Sequence, residues 1–321
     1  MISPIRWTIA IPTFNGSAFL EATLRSVLKQ TDTDFELLVC DDGSRDSTLE
    51  IVRHICGDRT RIVANESGLP FGLAGNWNRC VSEATGDWIT ILHQDDLLEP
   101  DFLANHRRIA DFHKTVGMIL GPVRLIDSEG SIVVTDANKD FVWPDRFVVW
   151  PPESLSRVLV KSNPIRCPGV SFRKDLHKQL SGFDGSWKYV LDWDFWHRAG
   201  QIADVALISE CLASQRWHSA SETQRLARGT VDLEENARLM RSILAQEPFS
   251  DPERPLVETQ IRARMARAWT NRAYQAACRG NRSLEWSSLR KAWKESREVT
   301  ARILFGSPRT LGRLVIGRLG K

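Results

Sequence analysis

An apolar run that ends in charge constrains this chain more than any other feature. Trp88-Ile89-Thr90-Ile91-Leu92 is short and β-branched, the pattern of a buried strand, and it leads through His93-Gln94 into Asp95-Asp96 before Pro100. Burying two like charges side by side is costly unless a cation or hydrogen-bond donors compensate them. Carboxylates at the carboxyl end of a parallel strand sit where an open α/β sheet binds its ligand. An Asp-rich turn capping a helix from about Pro100 is the competing reading of the same residues.

The preceding residues repeat the pattern. Trp7 to Ile11 reads as a strand closed by Pro12, and Leu20, Leu24, Val27 and Leu28 then recur at helical spacing. Phe35 to Cys40 is a second strand, running into Asp41-Asp42-Gly43-Ser44, with a helix from about Ser47 to Ile55. Arg61 to Ala64 is a short third strand, and Leu73, Trp77, Cys80, Val81 and Ala84 mark one face of the next helix. Apolar strands alternating with amphipathic helices predict a mostly parallel sheet flanked by helices, a Rossmann-like half up to about residue 100.

Two strands thus end in carboxylate pairs at one sheet edge, which favours a polar ligand carrying hydroxyls, an imide or a metal. A dinucleotide site is disfavoured because no GxGxxG follows the first strand, and no GxxxxGK phosphate loop is present. A bound phosphate would then need a divalent cation held by carboxylates. A net charge of +3, without a basic run interleaved with aromatics in the first 250 residues, argues against nucleic acid. The six cysteines are scattered with no CxxC pair, the pattern of reduced thiols in a cytoplasmic protein. Met1 to Arg6 lacks the regions of a signal peptide, and no apolar run approaches the roughly 18 residues that span a bilayer.

Pro12-Thr13-Phe14-Asn15, Asp41-Asp42-Gly43-Ser44, the segment Gly72 to Arg79, Ala84 to Ile89, and His93-Gln94-Asp95-Asp96 together resemble the ordered motifs of family 2 glycosyltransferases. The resemblance continues more thinly through Gly182-Phe183-Asp184 and Asp192 to Trp196 as far as Arg216 to Ser221. It implies a GT-A fold and a nucleotide-diphosphate sugar donor, of UDP or dTDP type foremost.

Carried over residue by residue, the resemblance gives Pro12, Phe14, Asp41 and Asp42 to the nucleobase, Asp42 foremost, since a carboxylate accepts the ring imide N–H of uracil or thymine. Asp95 matches the metal-binding aspartate of the DxD element, for Mn²⁺ or Mg²⁺. The first aspartate of that element, often a ribose contact, is here His93, an HQDD variant whose imidazole can meet a hydroxyl or ligate the metal. Gln94, between them, is placed by the resemblance among the donor contacts; Asp96 is read as a contact to sugar hydroxyls or as a helix cap. Asn76 and Asn78 are candidates to face the donor, with Asn76 equally a cap.

Beyond Pro100 a helix to about Lys114 precedes a strand from Met118 to Ile126 and a hairpin to Thr135. Residues 136–153 show no period and read as a loop over the site, followed by a short strand from Gly169 to Phe172 and a helix from Lys174 to Leu180. Asp192 reads from the residues alone as a helix N-cap and, by the resemblance, as general base, with Leu191 where the family usually has a glutamate. After a strand near Val205 to Ile208, the segment Arg216 to Ser221 reads as a surface loop. The resemblance offers His218 to the metal or diphosphate, and Arg216 to the departing phosphate.

The division expected is a glycosyltransferase domain over 1–228, with a nucleotide-binding half to residue 100 and an acceptor-side half beyond, and a helical extension over 229–321. Helices are expected at Thr230 to Leu244, Ile261 to Ala277 and Ser283 to Val299, the last two as a hairpin. The tail from Arg302 to Lys321 has five basic residues and no acidic one, and suits either docking on the chain's own helices or an anionic membrane surface. The function the resemblance implies is inverting transfer to an acceptor hydroxyl on a glycan or lipid-linked carrier, in cell-surface polysaccharide synthesis. A non-catalytic sugar-binding or scaffold protein is the alternative. A nucleotidyltransferase is set aside because Pro12 to Ser17 lacks a basic residue.

Overall fold

The computed structural model describes residues 6–134, 141–246, 249–250 and 252–306. The chain forms two compact units, Met1–Ser221 and Glu222–Lys321. The first opens with β1 (Trp7–Thr13), α1 (Leu20–Leu28), β2 (Glu36–Asp41), α2 (Thr48–Cys56), β3 (Thr60–Ala64), α3 (Gly72–Glu83) and β4 (Trp88–Ile91). It continues with β5 (Leu97–Leu98), α4 (Phe102–Phe112), β6 (Val116–Leu120), β7 (Val123–Ile126), β8 (Ile132–Val134), β9 (Val148–Trp150) and α5 (Ser156–Leu159). β10 (Val170–Arg173), α6 (Lys174–Gln179), α7 (Leu191–Ile202), β11 (Asp204–Leu207) and β12 (Ala213–Arg216) complete it.

The main sheet has the order β3-β2-β1-β4-β10-β6-β11-β9. β1 to β4 are mutually parallel, as the βα alternation demands, so their carboxyl ends share one edge. β10 enters antiparallel between β4 and β6 and brings its own starting end to that edge. The apolar strand residues Ile9, Ile11, Leu37, Val39 and Leu92 pack with Leu20, Leu24 and Phe102 into one core. Trp7 and Trp88, neighbours across β1 and β4, stack at 5.3 Å.

Two expectations about the strands change. The strand expected from Met118 to Ile126 is two, β6 and β7, and they belong to different sheets. Gly121-Pro122 divides them, since proline has no N–H for the ladder. β7 joins the second sheet, β5-β12-β7-β8, where β12 runs parallel to it. The segment read as a loop over 136–153 contains β9, an edge strand antiparallel to β11.

The second unit holds α8 (Glu222–Leu226), α9 (Val231–Gln246), α10 (Glu253–Cys278), α11 (Arg282–Glu295) and α12 (Arg297–Gly306). α10 and α11 form the expected hairpin, turned at Gly280 and capped by the Asn281 side chain accepting from the Leu284 N–H. The helix expected to reach Val299 stops at Ser296, which is extended at φ −154°. Its core is Ile243, Val257, Ile261, Met265 and Trp269, with a buried ion pair from Arg272 to Asp232 at 2.6 Å. Among the described residues no helix is long and apolar enough to cross a membrane. The tail beyond Gly306, assigned above to docking or to a membrane, lies outside the described residues.

Candidate active site

The carboxyl edge of β1, β2 and β4 gathers the two acidic motifs, but they serve different ends. Asp41, buried at the end of β2, accepts from the Thr13 and Ser44 hydroxyls and from the Gly43 and Ser44 N–H groups. Asp42 accepts from Asn65 Nδ2 and the Phe71 N–H through one oxygen, and from the Gly72 N–H through the other. A carboxylate has about four acceptor positions. With 1% and 4% exposure, Asp41 and Asp42 are engaged by their own chain. Asp42 anchors the loop from Asn65 to Gly72. Asp42→Asn turns one acceptor into a donor facing N–H groups, which costs about 1–3 kcal/mol. A thermal midpoint lower by several degrees is expected by calorimetry; an unchanged midpoint would remove the anchoring role.

Asn76 is not a cap: it is buried inside α3, and its Nδ2 donates to the Cys40 carbonyl, bracing β2. Asn78 turns away from the edge as well, donating to the Phe183 carbonyl while accepting from the Phe183 N–H. Gly182, at φ +79°, brings its backbone so near Asn78 Oδ1 that a Cβ would lie 2.6 Å from it. Phe14 is 46% exposed at the end of β1, next to half-buried Pro12. Gln94 fixes Phe14 by a reciprocal pair, accepting from its N–H at 2.9 Å and donating to its carbonyl at 3.2 Å. Any side chain at Gly16 would strike Gln94.

The segment after β4 is the chemical centre. His93, Asp95 and Asp96 each offer a ligand atom, all within 4.8 Å of one another. His93 Nδ1 lies 3.4 Å from Asp96 Oδ2. Asp95 receives a second imidazole, His218 Nε2, at 2.8 Å from its Oδ2. Asp96 is almost wholly buried and does not cap α4, whose N-cap is Asp101; its Oδ1 accepts from the Arg216 N–H. His93 Nε2 is buried without a hydrogen-bond partner, and the other Asp96 oxygen has only the His93 imidazole beside it. Buried polar atoms so poorly satisfied on a His/Asp/Asp set fit a divalent cation, because a buried polar atom left unpaired is costly.

Burial pushes the Asp96 carboxyl up to about 6, with the Asp95 charge adding to the rise and His93 opposing it. Burial opposes charging His93, yet the Cys167 sulfur and the Asp96 carboxylate beside it hold the imidazole well above its ordinary range.

Arg216 is 6% exposed, and its guanidinium donates to the carbonyls of Asp95, Asp127 and Ser128 and lies over the Phe19 ring. With its N–H on Asp96, it clamps the acidic turn to β12. His218 reaches Asp95 from the same strand end, packed on Phe19 at 4.7 Å.

Asp192 sits in the first turn of α7, not at its N-cap, which is Val190. Its Oδ1 accepts from the Trp193 N–H at 2.7 Å, and burial raises its carboxyl above the usual range. His93 and Arg166 are near enough to act on that carboxyl. Asp194 is instead paired with Arg198 at 2.8 Å. Cys167 was read only as a scattered thiol, but it is buried between β4 and α7, 3.6 Å from the Ile91 carbonyl and within electrostatic reach of His93, Asp96 and Asp192. Its position before β10, among prolines, carried no periodic signal.

A parallel half of alternating strands and helices, an antiparallel strand at its flank and acidic residues after β4 define a GT-A fold. The chain belongs to the family described as glycosyl transferase family 2, whose sequence profile matches residues 8–181. An uncharacterized Mycobacterium tuberculosis protein, MT1568, is 29% identical over 82% of this chain and 80% of its own length. A Mycobacterium bovis PGL/p-HBAD biosynthesis glycosyltransferase is 30% identical over 61% of this chain and 69% of its own. Among solved structures, S. aureus TarS 1-349 in complex with UDP-GlcNAc superposes with a TM-score of 0.64 over 94% of this chain and 93% of that one. At 16% identity it shows the fold.

Proposed function

We propose that this chain is an inverting, metal-dependent glycosyltransferase that moves a sugar from a nucleoside diphosphate donor, of UDP or dTDP type, to an acceptor hydroxyl. The convergence of His93, Asp95, Asp96 and Asp192 on one sheet edge carries this reading. The family and the UDP-GlcNAc held by TarS support the donor class. The role of the mycobacterial relative supports an acceptor that is a glycan or lipid-linked carrier of the cell surface. The transfer chemistry is assigned to residues 1–228, with 229–321 as an extension whose tail contacts a membrane from the cytoplasmic side.

Asp95 and Asp96, with His93 or His218, would hold Mn²⁺ or Mg²⁺, whose charge would stabilise the departing diphosphate. Asp192 accepts the proton of the acceptor hydroxyl as its oxygen attacks the anomeric carbon. The bond from that carbon to the phosphate oxygen breaks on the opposite face, and the nucleoside diphosphate leaves with the electron pair. One displacement inverts the anomeric centre and needs no nucleophile from the chain. Phe14 and Pro12 flank the nucleotide, and Gln94 keeps Phe14 in place.

The test is donor turnover without acceptor. Pure protein with UDP-sugars or dTDP-sugars and Mn²⁺ is expected to release nucleoside diphosphate slowly from one of them. Binding without release would favour a non-catalytic sugar-binding protein, a reading that His93 and Leu191, at two departures from the family motifs, keep in view. Neither binding nor release would overturn the donor class.

A further inference from the structure

The helix α11 is built inside out. The residues it buries are Glu285, Ser288 and Ala292, whereas its two tryptophans, Trp286 and Trp293, are 42% and 44% exposed. An amphipathic helix normally turns its largest apolar side chains to the core. At 3.6 residues per turn, Arg282, Trp286, Arg290, Trp293 and Lys294 share about one third of the helix circumference. No acidic residue shares that face: Glu285 is buried against Arg282 and Glu295 is paired with Arg241. Arg290 and Lys294 are exposed and make no ion pair among the described residues.

Charge is distributed in the same sense over the whole chain. Residues 222–321 contain 20 Lys and Arg against 11 Asp and Glu, a net +9, while residues 1–221 carry −6. We infer that the exposed face of α11 docks on an anionic lipid surface. Indole rings suit the boundary between headgroups and acyl chains, with the ring in the apolar layer and the N–H in the polar one. The flanking Arg and Lys stems extend along that boundary and set their charges among lipid phosphates. Pairing of this face with the same face of a second copy is disfavoured, because positive charge would meet positive charge. The sequence from Arg302 to Lys321, with five basic residues and no acidic one, has the same charge character.

Co-sedimentation of the full chain with vesicles tests the inference, using phosphatidylcholine alone and phosphatidylcholine with one third phosphatidylglycerol. Binding is expected to the anionic vesicles only and to weaken with salt. Arg290→Gln with Lys294→Gln should weaken partitioning by about 30-fold, since each surface cation is worth about fivefold. Trp286→Ala with Trp293→Ala should weaken it by about tenfold. Retained thermal midpoint and retained nucleotide binding in both variants serve as folding controls; if alanine unfolds the helix, Trp286→Gln with Trp293→Gln replaces it. Unchanged partitioning in the folded variants overturns the inference, as does equal binding to both vesicle types. Retention on heparin that the same variants abolish, without vesicle binding, assigns the face to a soluble polyanion and overturns it as well.

Discussion

Asp192→Asn is expected to lower kcat by about 10²- to 10⁴-fold, or roughly 3–5 kcal/mol of activation free energy, with donor affinity nearly unchanged. Asparagine keeps an oxygen for the Trp193 N–H that Asp192 now satisfies, so the first turn of α7 loses nothing. It cannot accept a proton. Burial raises the Asp192 carboxyl, and this sets two signs. Only the ionised form is a base, so kcat/KM of the parent rises about tenfold per pH unit on the acid side and levels off above that raised value. The limb should vanish in the variant. An acid whose folded pKa is raised is one the fold prefers neutral, so its ionisation at neutral pH costs stability. Removing that charge should therefore leave the thermal midpoint unchanged or higher. A variant with more than about half the parent kcat, chemistry being rate-limiting, would place the base elsewhere.

Asp95→Ala is the second large effect. The half-buried side chain follows a strand end and fills no core volume, so the fold should survive. Nucleotide binding measured by calorimetry with UDP and Mn²⁺ should weaken by about two orders of magnitude or more, beyond the 10- to 100-fold typical of losing a residue that merely orients a ligand. His218→Gln, which removes the imidazole 2.8 Å from Asp95, should fall within that smaller range if His218 only orients the carboxylate. Without metal, parent and Asp95→Ala should bind UDP alike. Undiminished affinity in Asp95→Ala with Mn²⁺ present would take the cation away from this carboxylate.

Period and order were legible in the sequence, because both are local properties. The apolar runs at Trp7, Phe35, Arg61 and Trp88 with helices between them determine a parallel sheet, and carboxylates after such strands must lie at its carboxyl edge. The α10–α11 hairpin follows from period and a glycine in the same way. What a polar side chain meets was decided by partners far along the chain. Asp42 is the anchor of a loop because Asn65, Phe71 and Gly72 reach it. Arg216 is a clamp because the carbonyls of Asp95, Asp127 and Ser128 close on it across two sheets. Asp95 and His218, 123 residues apart, meet only once β12 has paired beside β7. A hydrogen bond requires donor and acceptor within about 3 Å, and no local pattern encodes that distance between remote segments. The sequence therefore determined where charge emerges from the sheet, and only the tertiary structure decided which of those charges the chain keeps for itself.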